Sequence, residues 1–478
     1  MPVGLRLGIL LALPMVGAIS VTGIYLNKEV IVAAAWLSFG IGALVFINPL
    51  LGVGAMTATF MLVAYPTVLQ TLGFITVNNL LGLCLVIVLA AHVLTTRDLS
   101  VLKLPQVLLL GAIGIVLVLS TAHADVIFPV LGQSQSLGVK GKILDRTADM
   151  MHDYWARLIF LLFFVSFVRS GRDVRVMFLT FVLVLFLAVP SALINWLQGT
   201  LAHGFRTTAS VTAGANANRL AMICLMQIAC WWTWAVARGS TMRRGIAMGA
   251  IAASLLVVLA SGSRSGLLGC AVLAVLLQSG PRRYRVPPFQ IGVLVLAGAI
   301  AIATVVPPEA WQRMLSFSAE DPHAGATYSL VRREQTIDTA LLMVRDHPFL
   351  GIGIGNFREV ARQVYLDPFF RPPHNSYLWA VSEGGLFVLG GYLLLFWMTW
   401  RELGRAARLT ERDPACGYVV AAMRVLFHLY WFFAFFADLW LNPITYFIVG
   451  LVLCLRRYLE SLPPVSGSPL RPALARAR

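Results

Sequence analysis

Apolar runs of roughly 17 to 25 residues recur along almost the whole 478-residue chain, and each is continuous where a lipid-facing strand would alternate. Wound as a helix, such a run matches a bilayer core of about 30 Å and satisfies its own backbone hydrogen bonds there. With 59% hydrophobic and 12% charged residues and a mean hydropathy of +0.81, the chain reads as an all-α polytopic integral membrane protein. A β-barrel is excluded.

The runs place spans near 6–25, 29–47, 50–71, 76–95, 104–122, 155–168, 174–196, 217–237, 244–261, 264–280, 287–306, 376–400, 419–437 and 440–457. The spans at 155–168 and 264–280 are short, so the count is about fourteen if both cross and about twelve if they are half-spans or pair as re-entrant elements. Either even number leaves both termini on one side. Basic connectors mark that side as cytoplasmic: Arg97 with Lys103, Arg169/Arg172/Arg175, Arg238/Arg243/Arg244, Arg282/Arg283/Arg285, Arg401/Arg405/Arg408/Arg412 and Arg456/Arg457. The first span has no small-residue cleavage site and reads as a retained helix, not a secretory signal.

This organisation gives membrane helices over 1–306 with outer loops at about 123–154, 198–216 and 261–266, and then a large outer loop at 307–375. Membrane helices resume over 376–457, and a Pro/Ser-rich basic tail at 458–478 is expected to be disordered and cytoplasmic. Within the large loop, Pro308 to Leu315 reads as a short interfacial helix, and a second helix over Ser329–Val344 places Leu330, Ile337, Leu341 and Val344 on one face with Arg333 off it. It stops at Asp346-His347-Pro348. The run Gly351 to Asn356 lacks the strand–helix context of a dinucleotide fingerprint and reads as a flexible or closely packed turn.

The six cysteines, Cys84, Cys224, Cys230, Cys270, Cys416 and Cys454, avoid the large outer loops, and no spacing suits zinc or a disulfide framework. They read as core packing. The net charge of +16 comes from 33 Arg and 4 Lys against 21 acids. Most of it is positive-inside bias and does not point to nucleic acid.

The basic charge outside is the exception. Arg146, Arg157, Arg206, Arg219, Arg264, Arg313, Arg332, Arg333, Arg345, Arg358, Arg362 and Arg371 fall on or near the outer face, some paired with acids and others placed to receive an anion. Arg264 sits in Ser261-Gly262-Ser263-Arg264-Ser265-Gly266, a small-residue break that frees helix-start N–H groups beside a guanidinium. The break is either a phosphate site or a tight turn with one snorkelling arginine. Arg206 and Arg219 bracket a hydroxyl- and amide-rich loop in which Asn216 or Asn218 either caps the next helix or meets substrate.

His374 follows two prolines at the start of another apolar helix, which Asn375 and Ser376 can cap. The positive helix end disfavours the imidazolium, so the ring is expected to be neutral and able to accept a proton. Asn375, Arg371 and Arg332 are candidates to bind substrate beside it. Arg424 and His428 form an intramembrane polar pair, with Asp438 at the outer end of the same span. Arg424 reads as snorkelling inward and Asp438 as meeting an outer arginine.

The order Ser263-Arg264-Ser265-Gly266, then Arg333, then Asp346-His347-Pro348-Phe349-Leu350-Gly351-Ile352-Gly353, then His374-Asn375-Ser376 with Gly384-Gly385 beyond, resembles the O-antigen ligase and polymerase superfamily, and most of all its ligases. The motifs cover about residues 200 to 400. The resemblance implies a GT-C-like glycosyltransferase of 12–14 transmembrane helices with a long periplasmic loop carrying short helices. It implies transfer of a glycan from an undecaprenyl diphosphate donor to a hydroxyl of lipid A–core at the periplasmic face of a bacterial inner membrane, without cofactor, nucleotide sugar or metal. It makes His374 the essential histidine and Arg264 and Arg333 the essential arginines, with Arg206 a further match. Ile337 departs from the aromatic residue usual four positions after the helix arginine.

The residues agree with that chemistry. A sugar hydroxyl needs a positioned base, and a departing lipid diphosphate needs cations. Direct attack inverts the anomeric centre, whereas a two-step path needs an enzyme carboxylate, for which Asp338 and Glu383 are the nearest and read as structural. Polymerase and protein O-oligosaccharyltransferase differ only in acceptor. A lipid-glycan transporter is the reading from another class; it expects internal repeats and charges through the spans. No repeat is visible, and the charges cluster on one face.

Overall fold

The computed structural model describes residues 39–40, 42–62, 77–128, 140–200, 206–209, 216–237, 240–304, 324–368 and 371–464. The span expected at 6–25, most of that at 29–47, the end of that at 50–71, the helix at Pro308–Leu315 with Arg313, and most of the tail lie outside the described residues. Among those described there is no β-strand, and seven helices are long and apolar enough to cross a membrane. The chain is an all-α polytopic membrane protein.

In chain order the helices are α1 (Pro49–Met61), α2 (Val77–Thr96), α3 (Pro105–Ile127), α4 (Lys140–Phe167), α5 (Gly171–Phe186), α6 (Ala188–Leu197), α7 (Ala217–Ala237), α8 (Thr241–Ala260), α9 (Arg264–Ser279), α10 (Pro288–Thr304), α11 (Ala324–Asp346), α12 (Phe357–Gln363), α13 (Ser376–Arg408), α14 (Gly417–Phe433) and α15 (Pro443–Ser461). Their limits follow local chemistry. Ser170 and Asp173 form a reciprocal capping box on α5, Ser263 caps α9, and Asn442 with Pro443 starts α15.

α7 is apolar all round and buried on nearly every side, packing on α8, α9 and α14, as a helix without a polar face must. Its one buried amide, Gln227, donates Nε2 to Val182 O at 3.0 Å. α9 approaches closely through Gly269, where an added Cβ would lie 2.6 Å from Leu225 and 2.7 Å from Phe433.

Three expectations are corrected. The region 123–154 is not mainly a loop: α3 runs to Ile127 and α4 begins at Lys140, so the short span at 155–168 is the inner part of a 28-residue helix. Lys140, Lys142, Asp145, Arg146, Asp149 and Asp153 depress the hydropathy of its first turns without breaking the helix. On α11 the packed face is Thr336, Thr339, Ala340 and Met343, while Leu341 is half exposed. Small side chains permit close approach there, and Leu341 of the stripe read from spacing faces outward. Finally, the span at 419–437 ends at Phe433, and residues 434–442 form a connector.

α13 is two helices joined at Gly385, whose φ of +70° and ψ of −173° break the ladder. The freed carbonyls of Ser382 and Glu383 accept from Ile352 N (2.9 Å) and Gly353 N (3.0 Å), and Leu386 N donates to Pro348 O at 2.7 Å. The Gly351–Asn356 run is therefore a closely packed turn. A Cβ on Gly385 would fall 1.9 Å from Phe349 O, so only glycine fits. This latch, joined by Ser120 donating to Glu383 O at 2.7 Å, fixes the end of α11 against the start of α13.

Candidate active site

The connector 434–442 passes between apolar helices, where an unmet carbonyl costs about 1–3 kcal/mol. Side chains from around it answer its carbonyls: Ser376 Oγ donates to Ala437 O (2.6 Å), Arg219 Nη2 to Asp438 O (2.7 Å), Tyr430 to Leu439 O (2.8 Å) and Arg157 Nη1 to Leu441 O. Ser376 Oγ also accepts from Leu439 N at 2.7 Å, and Ser376 N donates to Ala434 O at 2.7 Å. The first residue of α13 is thus sewn to the connector. Asp438 is held within reach of what precedes α13.

What precedes it is His374. Its Nδ1 lies 3.0 Å from Asp438 Oδ2, with side chains 28% and 11% exposed respectively. The backbone of His374 is left-handed (φ +50°), after the buried prolines 372 and 373 and before the Asn375 cap, whose Oδ1 accepts from Tyr377 N (3.0 Å) and Leu378 N (3.1 Å). Such strain costs on the order of 1–3 kcal/mol in a non-glycine residue and is held here by the cap and the Ser376 bonds. An ionised carboxylate only accepts, so the hydrogen of this contact lies on Nδ1 and Nε2 is the ring nitrogen turned away from Asp438. Asp438 meets outer arginines as expected from sequence, Arg219 at its carbonyl and Arg333 through its charge, and the histidine ring at its carboxylate is the partner that sequence did not name.

The cations arrive from two other elements. At the head of α9, Gly262 (φ +57°) turns the chain, and Ser263 Oγ accepts from Gly266 N (3.1 Å) while donating to Asn218 Oδ1 (2.7 Å). That bond ties the start of α7 to the start of α9, and Arg206 Nε adds a bond to Ser261 O at 2.9 Å. Arg264 is the first residue of the 16-residue helix α9, whose N-terminus is itself positive.

Arg333 projects from α11 toward the same place. Burial holds its pKa below the ordinary arginine value, the neighbouring Arg264 guanidinium lowers it further, and the Asp438 carboxylate pulls it up. Arginine remains charged regardless. Two guanidinium groups that repel each other are therefore kept together, and the carboxylate felt at Arg333 among the described residues, that of Asp438, is already bonded to a histidine. The arrangement sets two cations near a histidine–carboxylate pair.

Of the residues expected from sequence, the structure thus brings His374 and Arg333 to Asp438 and sets Arg264 near Arg333. Arg219, Asn218 and Asn375 each spend an atom on the scaffold, Arg219 on the Asp438 carbonyl, Asn218 on Ser263 and Asn375 on the cap. Arg332 lies on the inward arc of α11 and Arg371 is exposed; neither charge is among those felt at Arg333. Sequence reasoning missed Asp438 as a partner of the site, and Ser376 as more than a cap. The available signal was an acid stranded between two apolar runs just before Asn442-Pro443, which demands a partner.

Residues 249–393 match the family model Wzy_C, described as O-antigen ligase, a segment that contains Arg264, Arg333 and His374 but neither Arg219 nor Asp438. No curated protein matches the chain.

Proposed function

We propose, from a chain whose residues 249–393 match the O-antigen ligase family model, that this protein transfers a glycan from undecaprenyl diphosphate to a sugar hydroxyl of lipid A–core in the periplasmic leaflet of the inner membrane, completing lipopolysaccharide. The observation that carries the reading is the His374–Asp438 pair set against Arg264 and Arg333. The acceptor hydroxyl attacks the anomeric carbon, His374 Nε2 takes its proton, and the bond from that carbon to the diphosphate oxygen breaks with its electron pair on the diphosphate.

Asp438 holds the ring in the tautomer that leaves Nε2 free and stabilises the imidazolium as it forms; the base contributes on the order of 10²–10⁴-fold. Arg333 and Arg264 take up the charge of the leaving diphosphate, with the head of α9 behind them. Direct displacement inverts the anomeric centre. Glu383 supports this path over a two-step one, since it is fully buried and accepts from Phe357 N at 3.2 Å, and Asp338 is exposed on α11. The guanidinium pair supplies charge that a divalent metal would otherwise supply, so transfer is expected to persist in EDTA; loss restored by Mg²⁺ or Mn²⁺ would refute that.

The test is transfer by the purified protein, with lipid A–core, a second lipid-linked glycan and a protein offered in parallel as acceptors. Product on lipid A–core is the expected result. Product on the second glycan identifies a polymerase, product on protein identifies an O-oligosaccharyltransferase, and no covalent product with any acceptor refutes the reading.

A further inference from the structure

At the end of the bundle away from His374, a cavity of about 170 Å³ opens between α9, α13 and α14, lined by Leu276, Ser279, Trp400, Arg424, Val425 and His428 among others. α9 and α13 begin at the active-site end, so Ser279 and Trp400 belong to the opposite one. Arg424 lies seven residues into α14, about 10 Å from its Gly417 start, in a helix otherwise apolar to Phe433 except for His428. No carboxylate lies within ion-pair reach of the Arg424 guanidinium among the described residues. Side chains of a helix lean toward its N-terminus, which aims this guanidinium at the cavity mouth.

His428 completes the lining. Its Nδ1 lies 2.7 Å from Arg424 O, a carbonyl that can only accept, so the ring is fixed with Nε2 turned away from its own helix. An unpaired cation within a span marks a functional site, and basic pockets between helices near the cytoplasmic surface suit lipid head groups. Trp400 is half exposed at the same end, in the interfacial role that indoles favour. Arg282, Arg283, Arg285, Arg401 and Arg405 surround the mouth in sequence and would draw anionic lipid toward it.

We propose that this cavity binds the phosphate of an anionic phospholipid from the leaflet opposite the active site, with Arg424 forking the phosphate oxygens and the acyl chains lying along the bundle. The site is separate from the transfer reaction and stands or falls independently of it.

The test is native mass spectrometry of the full chain offered equal phosphatidylglycerol and phosphatidylcholine. About five- to tenfold preferential retention of phosphatidylglycerol is expected for the wild type. Arg424→Gln should abolish the preference and Arg424→Lys keep part of it. Ser279→Trp at the mouth should abolish it with the charge intact, and decides the matter if Arg424→Gln does not fold. Equal retention by the wild type, or a preference that survives Ser279→Trp, overturns the proposal. Displacement of the lipid by millimolar inorganic phosphate as readily as by phosphatidylglycerol would also overturn it, because the pocket would then read phosphate without its lipid.

Discussion

A histidine whose ring is aligned by a carboxylate, beside two crowded guanidiniums, assigns separable roles to single residues. Arg264→Ala and Arg333→Ala each remove charge stabilisation from a leaving diphosphate and are expected to slow transfer on the order of 10²–10³-fold. Arg→Lys at either position should rescue poorly, since a point charge replaces a planar fork; near-normal turnover of well-folded Lys variants would show that charge alone suffices. His374→Ala should remove most single-turnover transfer while donor affinity is retained. Asp438→Asn should follow it, on the order of 10²-fold or more, because an amide can donate to Nδ1 and so turn the ring to the wrong tautomer. Donor binding lost as severely as transfer in His374→Ala would count against the base assignment. His374 and Arg264 stand out in the sequence as polar residues at the starts of apolar helices, and Arg333 as a cation off the apolar stripe of a loop helix. The histidine partner of Asp438 does not, since it depends on Ser376 and Arg219 folding the connector, a tertiary fact with no sequence spacing.

At the scale of elements, the site depends on a break inside a helix. Ser382 and Glu383 give their carbonyls to the 348–353 turn, and the turn in exchange fixes where α11 ends, and so where Arg333 stands. Gly385→Ala would need a left-handed alanine and a clash with Phe349, so thermal stability should fall by at least ~1–3 kcal/mol and transfer should fall with it. Gly404→Ala, in the same helix with open space around an added Cβ, should be neutral or stabilise by up to ~1 kcal/mol. Equal unfolding midpoints for the two variants would mean that the latch carries no constraint. The glycines and prolines of this latch announced turns in the sequence, but not that two distant turns complete one another's hydrogen bonds. Hydropathy likewise found the apolar half of α4 and lost the polar half, because it averages composition and does not sense that the helix continues.

Across the whole molecule, two kinds of connector gather at opposite ends. The arginine-bearing ones meet: Arg175 reaches Asp413 (3.4 Å), Arg412 donates to Leu462 O (2.9 Å), and Gly417 lies against Tyr284. The starts of α7, α9 and α13 meet at the other end near Asp438. On the proposed orientation, positive-inside bias would place the first end in the cytoplasm and His374 outside, where lipid-linked glycans and lipid A–core would be joined. The native cysteines make this testable, since five are buried and Cys270 is partly so, leaving little background for a thiol reagent. Cysteine placed at Arg371, exposed just before the histidine, should react with a membrane-impermeant maleimide once the outer membrane is opened. Cysteine at Glu411, exposed beyond the end of α13, should react only after the inner membrane is broken. The reverse pattern would put the anion receptor in the cytoplasm, and neither the polyprenyl donor nor the acceptor of the proposed reaction would then meet His374.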